Sequence, residues 1–251
     1  MGDRGHPANA GDDDLVISAH AVEALLQFSP KRIRAIHCWA ADPRVLARIE
    51  PLIARHAIVR IDQPPREIGG AAALAQGIAA RVSPYEYADL DDVLPVNQIP
   101  DETLLVVLDS VTDPRNLGAI LRSAAFYKAT AVILPQDRAA GVTPLVERIS
   151  RGGSAALPVV QVVNLARTLR SLADRGVRTV GTVLHGATVD LWELDWQGPT
   201  AIVLGAEDSG LRPLVRKQCE TLATTAGSDA MGSLNVASFA TLALAIARRP
   251  R

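Results

Sequence analysis

The segment LLVVLDSVTDPRNLGAILRSAAFY, residues 104–127, reads as a strand running into a helix. Leu104 to Leu108 is a continuous apolar run, the pattern of a parallel strand buried on both faces. A polar turn, Asp109 to Thr112, follows it. Asp113 is a good helix N-cap, and Pro114 suits the first helical position, where its missing N–H would have no partner anyway. Leu117, Ile120, Leu121 and Ala124 then recur at the spacing of a core-facing helix stripe. Arg115, Gly118 and Arg122 form a second stripe, two guanidinium forks separated by a residue without a side chain. Such a stripe would let a phosphate or an RNA backbone approach and be gripped bidentately. An ordinary solvated arginine face has the same pattern.

Downstream, strand and helix patterns alternate. Strands are expected at 130–134, 158–162, 177–183, 200–205 and 222–225, and helices at 143–150, 165–175, 211–219 and 236–249. Strands separated by helices imply a mostly parallel sheet covered on both faces, an α/β fold. The last helix is apolar almost all round, which means burial within the protomer or between protomers. In such sheets ligands bind beyond the carboxyl ends of the strands. The polar segments 113–116, 205–210 and 225–235 all follow expected strands and could converge there. No Gly-x-Gly-x-x-Gly fingerprint follows Leu108 and no Walker Gly-Lys-Ser/Thr loop occurs, so a nicotinamide, flavin or P-loop nucleotide site is not expected. Alone, residues 205–210 also read as a plain capped turn.

The first half is shorter in its elements. Residues 15–28 read as a lead-in followed by a helix with Ala21, Val22, Leu25 and Leu26 on its apolar side. Strands are expected at 33–39, 58–61 and 78–82, and a helix at 43–56 that Pro51 should kink or split. An acidic run, Asp89-Leu90-Asp91-Asp92, precedes a polar linker at 95–101 bounded by Pro95 and Pro100. The expected organisation is a disordered tail at 1–14, a small domain at 15–94, the linker, and a larger domain at 102–251.

Of 251 residues, 48% are apolar, enough for a sizeable core, but no apolar run approaches the roughly 20 residues that span a bilayer. The polar N-terminus with Asp12-Asp13-Asp14 has no secretory pattern. Cys38 and Cys219 are far apart and match no metal-site spacing. A cytoplasmic chain without metal or membrane partner is expected. The net charge of −1 supplies no global attraction to nucleic acid. Lys31, Lys128 and Lys217 are the only lysines among the 26 basic residues; this arginine bias fits phosphate recognition or merely genome composition.

Three segments, in order, carry a resemblance: Asp-Pro-Arg-Asn-Leu-Gly-Ala-Ile-Leu-Arg-Ser-Ala-Ala from Asp113, Ile-Val-Leu-Gly-Ala-Glu-Asp-Ser-Gly-Leu from Ile202, and Gly-Ser-Leu-Asn-Val-Ala from Gly232. They resemble the three motifs of the SpoU-type RNA ribose methyltransferases of the SPOUT class. His20-Ala21-Val22-Glu23-Ala24-Leu25-Leu26 and Gln76-Gly77-Ile78-Ala79-Ala80 resemble the small N-terminal domain of the branch that methylates guanosine in ribosomal RNA. The chain departs from the family at Ser18 (usually Gly), Ala75 (His), Thr225-Ala226-Gly227 (Ile-Pro-Met) and Gly232 (often Ser).

The resemblance implies a C-terminal α/β domain with a deep trefoil knot, preceded by an L30e-like RNA-binding domain, in a homodimer paired through the last helix. It implies S-adenosylmethionine as cofactor, held near Thr182, Leu204, Gly205, Thr225 and Leu234. Asn116, Arg122, Glu207, Ser233 and Asn235 are the implied catalytic set; Arg115, Arg122, His20 and Gln76 are the implied RNA contacts. The implied reaction is 2′-O-methylation of a ribose, a guanosine of 23S rRNA on this branch. A tRNA ribose methyltransferase and a non-catalytic RNA-binding homologue are the alternatives. On the residues alone, Glu207 could equally pair with a surface arginine, Asn235 could simply cap the last helix, and His20 could be satisfied locally.

Overall fold

The computed structural model describes residues 13–95, 99–225 and 233–249. The expected tail up to residue 12, linker residues 96–98, and the departures at Ala226, Gly227 and Gly232 lie outside the described residues. The chain divides into two compact units between Tyr85 and Glu86. The division precedes the acidic run because that run belongs to the second core: Ala88, Leu90, Val93 and Leu94 pack against it.

In the first unit, β1 (Asp14–Val16), α1 (Ala19–Phe28), β2 (Ile33–Cys38), α2 (Pro43–Arg55), β3 (Val59–Ile61), α3 (Ala71–Leu74) and β4 (Ile78–Val82) follow one another. The sheet has the order β1-β4-β2-β3, and only β2 and β3 run parallel. Asp42 caps α2 by accepting from the Arg44 N–H at 2.7 Å, and Pro43 opens it. The helix runs through Pro51 without splitting. Val22, Leu25 and Leu26 of α1 and Ile49 and Ile53 of α2 are buried, and Arg48 reaches across to Glu23 at 2.9 Å. Gly77, at φ +68, lies so close to the Ala40 carbonyl that no side chain fits between them. The side chains of His20 and Gln76 are exposed and make no hydrogen bond among the described residues.

The second unit contains α4 (Leu90–Val93), β5 (Leu104–Leu108), α5 (Pro114–Phe126), β6 (Ala131–Pro135), α6 (Pro144–Ser150), α7 (Gly153–Ala156), β7 (Val159–Val162), α8 (Leu165–Asp174), β8 (Arg178–Thr182), β9 (Val189–Asp190), β10 (Thr200–Leu204), α9 (Pro213–Lys217), β11 (Thr221–Thr224) and α10 (Val236–Ala247). The strand order is β7-β6-β5-β10-β8-β11-β9, and every named strand pair is parallel. The run at 104–108 is buried throughout and pairs with β6 and β10, as a doubly covered parallel strand requires. Leu165, Leu169 and Leu172 of α8 cover one side with Leu105, Val107, Ile133 and Val203. Leu117, Ile120, Leu121 and Ala124 of α5 are buried as their spacing predicts.

The Arg115–Gly118–Arg122 stripe is corrected by the structure. Gly118 is buried, and a methyl group there would come within 2.7 Å of the Ile149 side chain of α6. Its small size admits a neighbouring helix, not a phosphate. The last helix also has sides: Val236, Ala237, Ala240, Ala243, Leu244 and Ile246 are buried, whereas Phe239 and Leu242 are half-exposed.

Candidate active site

Three neighbouring strands, β10, β8 and β11, end at Leu204, Thr182 and Thr224. At this carboxyl edge lies a cavity of about 280 Å³. Its walls include Thr182, Leu184 and His185 after β8, residues 204–211 after β10, and Ser233, Leu234, Val236 and Phe239 at the start of α10. Thr182 is oriented by donating its hydroxyl to the Val203 carbonyl at 3.0 Å.

The loop after β10 is a closed turn. Ala206 N–H donates to the Gly210 carbonyl (3.2 Å) and Gly210 N–H to the Ala206 carbonyl (2.9 Å), with Gly210 at φ +63. The backbones of Gly205 and Gly210 are too close for a Cβ on Gly205. Asp109, fully buried after β5, fastens this loop from below. Its carboxylate accepts the Arg212 backbone N–H at 2.8 Å and the Arg212 Nε–H at 2.6 Å, and its own N–H donates to the Leu204 carbonyl at 2.7 Å. Across the cavity, the Arg216 guanidinium donates to the carbonyls of His185 and Gly186, at 3.3 and 3.4 Å.

Beside the cavity, one carboxylate oxygen collects three residues from the starts of two helices, α5 and α10. Glu207 Oε1 accepts from Asn116 Nδ2 at 3.1 Å, from Asn235 Nδ2, and from the Val236 N–H at 3.2 Å. Asn235 Nδ2 also donates to Asn116 Oδ1 at 3.0 Å. Asn235 Oδ1 meanwhile caps α10, accepting from the N–H groups of Ala237 and Ser238. Glu207 thus sits at the positive end of α10, where a carboxylate is stabilised. Asn235 is both a cap and a member of the cluster, and Glu207 binds amides, not a surface arginine.

Of the residues implied for the cofactor, Thr182, Leu204, Gly205 and Leu234 line the cavity, and Thr225 is not among its described lining. Ser233 and Glu207 line it too. Arg122 is not brought to the cluster: it is exposed on α5 and makes no hydrogen bond or ion pair among the described residues. Arg115 folds back on Asp113 at 2.9 Å, and its hydrogen bonds hold the Asp113 carboxyl below the usual range. Sequence reasoning misses Asp109, Arg212 and Arg216. Asp109 and Arg212 are 103 residues apart, so no local pattern announces their pairing. Among the described residues no group of three His, Cys, Asp or Glu side chains is placed to hold a metal, and no helix is long and apolar enough to cross a membrane.

The cavity's chemistry fits S-adenosylmethionine. Leu204, Leu211, Leu234 and Phe239 offer apolar surface for an adenine ring, and the closely packed backbone of the 205–210 turn offers hydrogen-bonding groups unobstructed by a side chain at Gly205.

Residues 103–245 match the model of the SpoU rRNA Methylase family. The chain is similar to the 23S rRNA (guanosine-2′-O-)-methyltransferase RlmB of Pseudomonas syringae pv. tomato, 41% identical over 245 residues, covering 95% of this chain and 96% of the relative. It is 39% identical over 246 residues to the protein of the same name from Shewanella oneidensis, covering 95% and 98%. Among solved structures it is similar to the SpoU methyltransferase AviRb from Streptomyces viridochromogenes in complex with AdoMet, with a TM-score of 0.78, 25% identity, and coverage of 98% of this chain and 92% of that one.

Proposed function

We infer the function from kinship: the chain belongs to the SpoU rRNA Methylase family. It is an S-adenosylmethionine-dependent methyltransferase that methylates the 2′-oxygen of a guanosine ribose in 23S rRNA. The observation that carries this reading is the similarity to the two RlmB proteins across nearly the whole of both chains. The cofactor, when bound, would supply an electrophilic methyl group, its sulfonium becoming a neutral thioether as the ribose 2′-oxygen takes the methyl and gives up its proton.

The chain's own residues position this reaction. Thr182, Leu204, Gly205 and Leu234 hold the cofactor, and Thr225, directly after β11, adds to them. Glu207, Asn116 and Asn235 lock the loop after β10 to the starts of α5 and α10, so the cavity's rim is rigid when RNA arrives. Ser233 offers a hydroxyl at the rim. Arg122 holds the target phosphate or ribose; a guanidinium carries only N–H donors, so it donates hydrogen bonds and does not remove the proton. Arg115, His20 and Gln76 add RNA contacts outside the cavity. The same reading includes a trefoil-knotted fold for residues 102–251, an L30e-like RNA-binding fold for 15–94, a homodimer using the half-exposed side of α10, and work in the cytoplasm.

The test is methyl transfer from labelled S-adenosylmethionine to unmodified 23S rRNA and, in parallel, to unmodified tRNA, with the product mapped. Ribose methylation of a 23S guanosine, abolished by Arg122→Ala, is expected. Label on tRNA alone overturns the substrate, and a base-methylated product overturns the reaction.

A further inference from the structure

The elbow between α6 and α7 carries a basic patch that the proposed site does not use. Arg148, on the last turn of α6, and Arg151, which ends it, are both exposed. Their backbones are joined by the Arg151 N–H donating to the Arg148 carbonyl at 3.2 Å. The elbow rests directly on α5 at two points. Ile149 sits on Gly118, and a methyl group on Gly153 would come within 3.0 Å of the Arg122 Cα. Residues 149 and 153 therefore touch successive turns of α5, and Arg151 lies between them in the chain. Three exposed arginines, Arg122 on α5 and Arg148 and Arg151 on the elbow, come from these two packed segments. Among the described residues none of them has a carboxylate partner, whereas Arg115, Arg175 and Arg212 of the same unit do.

Arg151 adds a second, independent observation. Its φ is +50, in the left-handed region that L side chains adopt at a steric cost. A helix end of this kind is usually closed by glycine, and this chain places glycine at the next two positions, Gly152 and Gly153. An exposed arginine stands instead where its backbone conformation is unfavourable. A strained cation without a carboxylate partner, on a segment packed against the helix that carries Arg122, is a reason to look for an anion.

We propose that Arg148 and Arg151 bind backbone phosphates of the RNA strand adjoining the ribose held by Arg122, so that the α6–α7 elbow is a substrate-positioning surface. A guanidinium fork matches a phosphate bidentately. The proposal rests on the reading that the substrate is RNA. It names two positioning residues and assigns them no part in the chemistry.

The experiment measures binding of an unmodified 23S rRNA transcript to the full-length protein over a series of KCl concentrations. Wild type is compared with Arg148→Ala, Arg151→Gly, Arg151→Lys and, as a matched removal of charge outside the patch, Arg170→Ala on α8. Removing one cation that neutralises a phosphate lowers the slope of log K against log salt by about 0.7 on a single strand. Arg148→Ala and Arg151→Gly are each expected to lower it by about that amount and to raise KM for RNA several-fold, with kcat and cofactor affinity unchanged. Arg170→Ala should change neither. Arg151→Gly relieves the strained backbone, so its melting temperature should equal or exceed wild type; weaker RNA binding there is not a failure of folding. Arg151→Lys should keep the salt slope while binding RNA less tightly. Unchanged slope and RNA KM in both Arg148→Ala and Arg151→Gly overturn the proposal, as does an effect of equal size in Arg170→Ala. A wild type that binds RNA but transfers no methyl group overturns the proposed reaction instead, and the slopes still decide the elbow.

Discussion

Asn235 and Glu207, 28 residues apart in the chain, meet side chain to side chain. The same asparagine holds the first turn of α10 with its carbonyl oxygen. One residue therefore couples the start of a helix to the loop that walls the cavity. Replacing Asn235 by Ala should destabilise the protein by about 1 kcal/mol, the cost of an N-cap, and lower turnover about tenfold. Asn235→Asp keeps a cap but sets a second carboxylate against Glu207, so their repulsion should offset the stability that the cap restores, and turnover should not recover. Thermal unfolding and methyl-transfer kinetics on both variants separate the roles. Wild-type turnover in the Asp variant would show that the amide's donation to Glu207 is dispensable.

Asp109→Ala should have the larger effect on stability. Asp109 is fully buried, while the Arg212 side chain is 36% exposed. Removing one partner of a buried pair costs about 3 kcal/mol or more, and the rim exposure of Arg212 puts this pair at the low end. Because the pair fastens the loop after β10, cofactor affinity should fall with it. Denaturant unfolding of Asp109→Ala, Arg212→Ala and the double variant checks this, and the double should lose clearly less than the sum.

At Gly205 the effect should fall on the cofactor. A Cβ there collides with the Gly210 backbone, so Gly205→Ala must open the turn that walls the cavity. Calorimetry should show S-adenosylmethionine binding weakened at least about tenfold, a loss of about 1.4 kcal/mol. Gly69→Ala, where a Cβ meets nothing within 4 Å, should leave binding unchanged.

The Cys219 thiol gives a pH signature. Burial, and to a lesser extent the nearby Asp109 carboxylate, push it up to about 11 from 9.0, against a smaller lowering by Arg216. In the unfolded chain the thiol loses its proton first, so the folded form binds more protons between these values and stability falls as pH rises through that window. Below pH 9 the contribution is complete. The melting temperature of wild type should fall more steeply between pH 9 and 11 than that of Cys219→Ala. Cys38 is raised by burial as well, so the difference between the two proteins, not the wild-type slope, is the readout. Parallel curves would refute the assignment to Cys219.

The strand–helix alternation is legible in the sequence because β5 and α5 carry their own signals: an unbroken apolar run, then Asp113 and Pro114, then core spacing. Short edge elements are not. Strand β1 has three residues and β9 two, too few for periodicity, and each exists through pairing with a distant neighbour. Gly118 lies on the stripe its spacing indicates but meets a different partner, since a missing side chain invites a helix as readily as a ligand. The residues of the Glu207 cluster are visible only through family likeness. Their bonds span 91 and 119 residues, and no local pattern encodes such a meeting. A boundary read at the Pro-bounded linker puts the acidic run in the first domain, whereas Leu90, Val93 and Leu94 at helical spacing serve the following core.

The 119 residues between Asn116 and Asn235 also set an order in time. Chains are synthesised and begin folding from the N-terminus, so β5 and α5 can form while Asn235 has yet to be made. Until then Glu207 can hold only Asn116, α10 has no cap, and the cavity lacks the wall of Leu234, Val236 and Phe239. A nascent chain halted before α10 therefore has every strand of the sheet but no working cleft. For a modifier of ribosomal RNA, competence arrives late, after most of the polypeptide has left the machine whose RNA it goes on to mark.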